Sequence, residues 1–147
     1  DLYGLDTVCL RYFNVYSKDQ PYRGAYSTAI STWMEMVRLK KPLRLDGNGE
    51  QVRDFVHLAD IIRANVFCMN QQKEFNGQSF DVGSGKTCSL NYIKSIIDQY
   101  HNAKWIHAPK RVGDINFSSA DIAPLRKIGW LPTISIDYGI RSCFEEL

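Results

Sequence analysis

The sequence predicts an α/β fold, and three observations carry that prediction. Short apolar segments rich in β-branched and aromatic residues alternate with longer segments whose apolar positions recur every three or four residues. That is the pattern of strands exchanging with helices, with at least some parallel pairing. The chain has 147 residues, 44% of them apolar, which is enough to bury the core of a single domain over residues 1–147. The first strand candidate, "TVCLRYFNVY" from Thr7 to Tyr16, lacks the alternation of a half-exposed strand and is written for cover on both faces. No partner layer is encoded before it. The expectation is therefore a partial sheet of mixed strands with flanking helices.

The elements follow in order. "PYRG" breaks the chain, and a helix begins near Ser27 with Ile30, Trp33, Met34 and Val37 on one buried stripe, until Pro42 stops it. "LRL" and "QVRDFVH" are extended segments joined by "DGNG", whose Asn48-Gly49 pair tolerates positive φ and can close a hairpin. The next helix carries Leu58, Ile61, Ile62, Val66 and Met69 as its apolar set. After "FNGQ" come the strand "SFDV", a tight turn, and a helix capped by Ser89 with Leu90, Ile93, Ile96, Ile97 and Tyr100 on one side. A last strand, "KWIHA", precedes "RVGD" and two short helices around Asp121 to Ile128 and Asp137 to Leu147. There are no internal repeats and no low-complexity linker.

Composition excludes several classes of function. The formal net charge of +2 is spread over interleaved acids and bases, without the basic stripe that nucleic acid requires. No apolar run approaches the ~20 residues of a membrane span, and no signal peptide is read. Cys9, Cys68, Cys88 and Cys143 are far apart and form no C-x-x-C, so they are expected as reduced thiols of a cytoplasmic protein. His57, His101 and His107 lack metal-ligand spacing.

"FDVGSGKTCSL", Phe80 to Leu90, imitates two phosphate cradles and completes neither. A P-loop ending in Gly85-Lys86-Thr87 would need its first glycine at position 80, where Phe80 stands. A dinucleotide fingerprint starting at Gly83 and Gly85 lacks its third glycine, because Cys88 occupies that place, and the following strand ends in Pro109 and Lys110 rather than an acid. The segment reads as a structural strand-to-helix turn.

Four stretches in order, "LRYFNVY", "DGNGEQVRDFVHLAD", "FDVGSGKTCSL" and "RVGDINFSSAD" followed by "IGWLPTISIDYGI", resemble the C-terminal half of the extended short-chain dehydrogenase/reductase family. The likeness is to its NAD-dependent nucleotide-sugar epimerases and dehydratases, of the UDP-glucose 4-epimerase type, and it covers the whole chain. In that family a glycine-rich Rossmann domain and a catalytic Tyr-x-x-x-Lys lie upstream of the matching segment. The resemblance therefore implies a truncated, substrate-binding-type domain without the N-terminal Rossmann domain. Tyr100 and Lys104 do have that spacing, but Asn102 and Ala103 read as the end of a helix entering a strand, so no catalytic residue is assigned.

The same resemblance implies roles for particular residues. Asn14 matches an asparagine that meets the sugar or diphosphate, Arg53 and Arg111 match arginines on phosphate, and Asp114 matches an acid on the ribose. The strand near Leu45 matches the segment along the base, and Tyr12 a residue near the nicotinamide. Plainer readings stand beside these: a surface ion pair between Arg53 and Asp54, a turn cap at Asn14, a charged turn at Arg111 to Asp114, and a core aromatic at Tyr12. Ser17, Lys18, Asp19 and Ser31 depart from the family pattern near the sugar.

The expected function is the nucleotide-sugar-binding portion of an epimerase or dehydratase, inactive alone. The expected partner is a UDP- or dTDP-linked sugar, bound weakly. NAD is implied for an intact family member, with no cofactor bound by this chain alone. The alternative is a non-catalytic domain that self-associates as a homo-oligomer, or binds a partner, through the sheet face left bare.

Overall fold

The computed structural model describes residues 3–24 and 27–147. Its strands are β1 (Val8–Tyr12), β2 (Val15–Tyr16), β3 (Leu43–Asp46), β4 (Val52–Asp54), β5 (Val56–His57), β6 (Gln78–Val82), β7 (Thr87–Ser89), β8 (Trp105–Ala108) and β9 (Phe117–Ser118). The helices are α1 (Ala29–Arg38), α2 (Leu58–Met69), α3 (Leu90–Tyr100), α4 (Ala123–Lys127) and α5 (Ile136–Phe144). Parallel pairs join β1 to β6, β2 to β5, β3 to β8 and β4 to β9, while β4 and β7 run antiparallel. The fold is the expected α/β arrangement of small mixed sheets with flanking helices.

Two apolar cores organise these elements. One gathers Trp33 and Met34 of α1, Leu43 and Leu45 of β3, Ile93 and Ile97 of α3, and Ile140 and Phe144 of α5. The other packs Phe80 and Val82 of β6 against Ile61 and Ala64 of α2, with Leu125 and Trp130. Asp60, fully buried at the start of α2, ties the chain before α5 to this second core by accepting from the backbone N–H groups of Thr133 and Ile134 at 3.2 and 3.1 Å. Buried carboxylates need such donors, and Arg63 Nη2 at 2.7 Å from the same carboxylate also balances its charge.

Several expectations change. Thr7 to Tyr16 is two strands, because the chain bends at Phe13 and Asn14, and β1 is covered on one face only: Val8 and Leu10 pack inward while Cys9 and Arg11 are exposed. The "DGNG" turn closes no hairpin. Gly47 and Gly49 take positive φ (72° and 78°), and the turn sends β3 to β8 and β4 to β7 and β9, in different sheets. The turn is pinned instead by Asn91 of α3, whose side chain donates to the Asn48 carbonyl at 2.9 Å and whose N–H donates to that of Gly49 at 3.0 Å.

The buried face of α2 is also not the predicted one. Asp60, Ile61, Ala64 and Cys68 face inward, leaving Leu58, Ile62, Val66 and Met69 as an exposed apolar stripe. Size explains the choice, since Ala64 and Cys68 let the helix lie close against β1 and β6 where bulkier residues would hold it off. By contrast α1 buries Ile30, Trp33 and Met34 and α3 buries Ile93, Ile96 and Ile97 of the faces their spacing predicted, while Tyr100 at the end of α3 is exposed. Ser31 finds its reason in α1: its hydroxyl accepts from the Thr28 N–H at 2.9 Å while its own N–H donates to Thr28 Oγ1 at 3.2 Å, a reciprocal cap that proline could not make.

Candidate functional site

A cleft of about 370 Å³ opens where the N-terminus of α1, the polar face of β3, and β4 converge with the loop at residues 111–114. Its volume is within the range that holds a small ligand. Four of the residues singled out from sequence line it together: Asn14, Arg53, Arg111 and Asp114. They are brought from the β1–β2 bend, from β4 and from the loop after β8, so the fold and not sequence proximity makes the site.

Each side chain is held by specific partners. Arg53 Nη2 donates to Asp114 Oδ1 at 2.8 Å and its Nη1 to the Val52 carbonyl at 2.9 Å, both ends of the ion pair being largely buried. Arg111 donates through Nε to Asp46, whose other oxygen accepts from Arg44 Nε at 2.6 Å. Burial works against ionisation of Asp46, but Arg44 and Arg111 prevail and hold its carboxyl below the ordinary value. Gln51 bridges the two halves, donating to the Asp46 carbonyl at 2.9 Å and lying 3.4 Å from Asp114. Three guanidiniums and two carboxylates therefore share one hollow, an arrangement with one surplus positive charge for an anionic guest.

Leu45 and Tyr12, the remaining predicted residues, fall elsewhere. Asn14 lines the cleft, yet its amide nitrogen donates to the Asp54 carbonyl at 2.7 Å, so it also performs the turn-bracing role. Leu45 is fully buried in the core; β3 meets the cleft through Arg44 and Asp46, the residues on the opposite face of the same strand. Tyr12 lies outside the cleft, about half exposed, with its hydroxyl donating to Asn65 Oδ1 at 2.9 Å. Arg53 and Asp54 do not pair with each other. As neighbours on a strand they point to opposite faces, Arg53 into the cleft and Asp54 into the protein.

Asp54 explains the glycine-rich turn. Its fully buried carboxylate accepts from Ser84 N–H at 2.7 Å, Ser84 Oγ at 2.8 Å, Gly85 N–H at 3.0 Å and Ala120 N–H at 3.4 Å. The turn is thus an anion cradle whose anion is part of the protein. Glycine is required at position 83, where a Cβ would stand 2.4 Å from the Ala120 Cβ and 2.7 Å from Asp54 Oδ2. The Tyr100–Lys104 spacing is likewise without catalytic form, since Tyr100 is the last residue of α3 and Lys104 lies beyond its end. Among the described residues no three His, Cys, Asp or Glu side chains are grouped to hold a metal ion, and no helix is long and apolar enough to cross a membrane.

Comparison with known proteins shows the family. The NAD-dependent epimerase/dehydratase family model matches residues 1–83, more than half of the chain. This chain belongs to that family. Its relatives include the UDP-glucuronate 4-epimerase of Thermodesulfobacterium geofontis, 31% identical over 144 residues that span 95% of this chain and 42% of the relative. The UDP-glucose 4-epimerase of Thermotoga maritima, solved with UDP-glucose, superposes with a TM-score of 0.86 at 27% identity, over 98% of this chain and 46% of that one. The Thermus thermophilus UDP-glucose 4-epimerase, solved with NAD, gives 0.84 at 26% identity over 98% and 47%. The chain spans less than half the length of these relatives.

Family membership raises the question of NAD, and the turn at Gly83 to Gly85 does not fit its pyrophosphate. That turn already closes on the Asp54 carboxylate, and a second anion there would meet that charge at contact distance. Three contributors to the cleft were not read from sequence: Asp46, Arg44 and Gln51. The strand alternation of "LRLD" carried a usable signal, since burying Leu43 and Leu45 puts Arg44 and Asp46 on the other face.

Proposed function

We propose that this chain is the nucleotide-sugar-binding portion of an NAD-dependent epimerase, inactive by itself, with Arg53 and Arg111 gripping the diphosphate of a UDP- or dTDP-sugar. The observation that carries this reading is the convergence of both arginines, Asn14 and Asp114 on one cleft of ligand size. Asp114 would meet the ribose once its partner Arg53 turns to phosphate, and β3 around Leu45 would flank the base. Tyr12 would stand toward a nicotinamide held by another part of an intact enzyme. NAD supplies the hydride chemistry there, and the residues of this chain bind and orient the substrate.

Magnitudes favour weak binding by the chain alone. Two charge-assisted contacts contribute roughly 1.5 to 3 kcal/mol each, about 3 to 6 in sum, and ~4 kcal/mol corresponds to ~1 mM. Purified protein is expected to bind UDP at about millimolar strength, with Arg53→Ala and Arg111→Ala each costing about tenfold, and to show no NAD-dependent epimerisation. Turnover by the wild type that disappears in Tyr100→Phe would overturn the reading.

One observation favours a second reading, self-association. Leu58, Ile62, Val66 and Met69 expose a continuous apolar stripe on α2, with Met69 82% exposed, and apolar surface of this kind seldom stays bare. Sedimentation velocity is expected to show concentration-dependent dimers that Val66→Lys abolishes. A monomer at every concentration would remove this reading.

A further inference from the structure

We infer that Asp46 is the positioning residue for Arg111, and that it fixes the phosphate-facing geometry of the cleft; the inference rests on the phosphate-binding reading above. Arg111 belongs to a loop between β8 and β9 whose own backbone offers little anchorage: its side chain is 72% exposed and Gly113 follows at φ +79°. The loop turns on one backbone bond, Asp114 N–H to the Arg111 carbonyl at 3.2 Å. Its far end is joined to β4 by the Val52 N–H, which donates to the Asn116 carbonyl at 2.8 Å, and its turn is fixed to the body of the protein by two ion pairs of opposite polarity. The loop's cation, Arg111, is held by the anion Asp46 of β3, and the loop's anion, Asp114, is held by the cation Arg53 of β4 at 2.8 Å.

Asp46 is suited to this task because it is itself rigid. Its side chain is 10% exposed, one oxygen is committed to Arg44 at 2.6 Å, and its backbone carbonyl is clasped by the buried Gln51. The bond to Arg111 uses Nε. That leaves the end-on pair of N–H groups on the two terminal nitrogens as a fork that matches phosphate oxygens. A carboxylate placed beside a phosphate-binding arginine is electrostatically unfavourable for the phosphate by itself. Its benefit must come from ordering: an unrestrained arginine loses several rotatable bonds on binding, and one already held loses fewer.

The two effects predict opposite signs, which makes the inference testable. If Asp46 acted only through charge, Asp46→Asn would remove repulsion and tighten UDP binding. As a positioning residue, its loss weakens binding, by about tenfold if one charge-assisted contact is forfeited.

The experiment is an NMR titration of the full chain with UDP and with uridine, comparing wild type, Asp46→Asn, Asp46→Glu and Arg44→Ala, while the Arg111 side-chain Nε–H resonance is followed without ligand. The expected result is a protected Nε–H signal in wild type that is lost in Asp46→Asn, together with weaker UDP binding, unchanged uridine binding and partial rescue by Asp46→Glu. Arg44→Ala should retain the Arg111 signal. Tighter or unchanged UDP binding in Asp46→Asn overturns the inference, as does an Nε–H signal that survives the substitution. A wild type with the protected signal but no UDP binding overturns the phosphate-binding reading and the inference with it, and the resonance distinguishes that failure from the others.

Discussion

Asp54 collects four donors from two distant segments, so it links β4, the turn after β6 and the chain after β9 at a single point. Removing the carboxylate would leave the buried N–H of Ala120 and the half-buried N–H of Ser84 without their acceptor, each costing about 1–3 kcal/mol. Asp54→Ala is therefore expected to destabilise the protein by about 3 kcal/mol, read as a lowered urea midpoint at constant m-value. A loss under ~1 kcal/mol would show that the turn does not depend on its internal anion. The residue pair "RD" shows what sequence reasoning could and could not see. Arg53 was legible as a cleft residue, but a neighbouring opposite charge suggested a pair that strand geometry forbids, and the true partner, Asp114, lies 61 positions away.

At the scale of elements, the helices were legible wherever one face is bulky and the other polar. α1 and α3 meet that condition, whereas α2 is apolar nearly all round and its orientation is decided by the small residues Ala64 and Cys68. The "DGNG" segment misled for a related reason: its glycines do take turn conformations, but the choice of strand partner belongs to β8 and β7, far along the chain. The start of α2 carries a pH dependence. His57 Nδ1 accepts from the Ala59 N–H at 3.1 Å, a cap that only the unprotonated nitrogen can make. Burial lowers the His57 pKa, opposed by the charge of Asp60. A lowered folded pKa means the unfolded chain takes up the proton first, so this contribution is intact above the ordinary pKa of ~6.5 and fades as the pH falls through it. Denaturation midpoints between pH 8 and 5 should decline for wild type and be flatter for His57→Asn, which keeps a capping acceptor without titrating; parallel curves would exclude this role.

For the whole molecule, the cleft was legible as a set of residues and not as a network. Asn14, Arg53, Arg111 and Asp114 follow from motif resemblance, whereas Asp46 and Gln51 act through contacts that only the assembled fold creates. The glycine-rich turn closes on Asp54, and nothing in the sequence named that residue as its occupant. The bare face of β1 and the stripe on α2 lie away from the cleft-lining residues, so association through them and ligand binding can be measured independently. The most direct test of nucleotide-diphosphate binding in this cleft is amide chemical-shift mapping of the 147-residue chain with UDP up to ~10 mM, about ten times the expected dissociation constant. Saturable shifts are expected around Asn14, Thr28, Arg53 and the loop at residues 111–114, with Gly83 to Cys88 unmoved. Shifts centred on the Gly83 turn, or none at all, would contradict binding in the cleft.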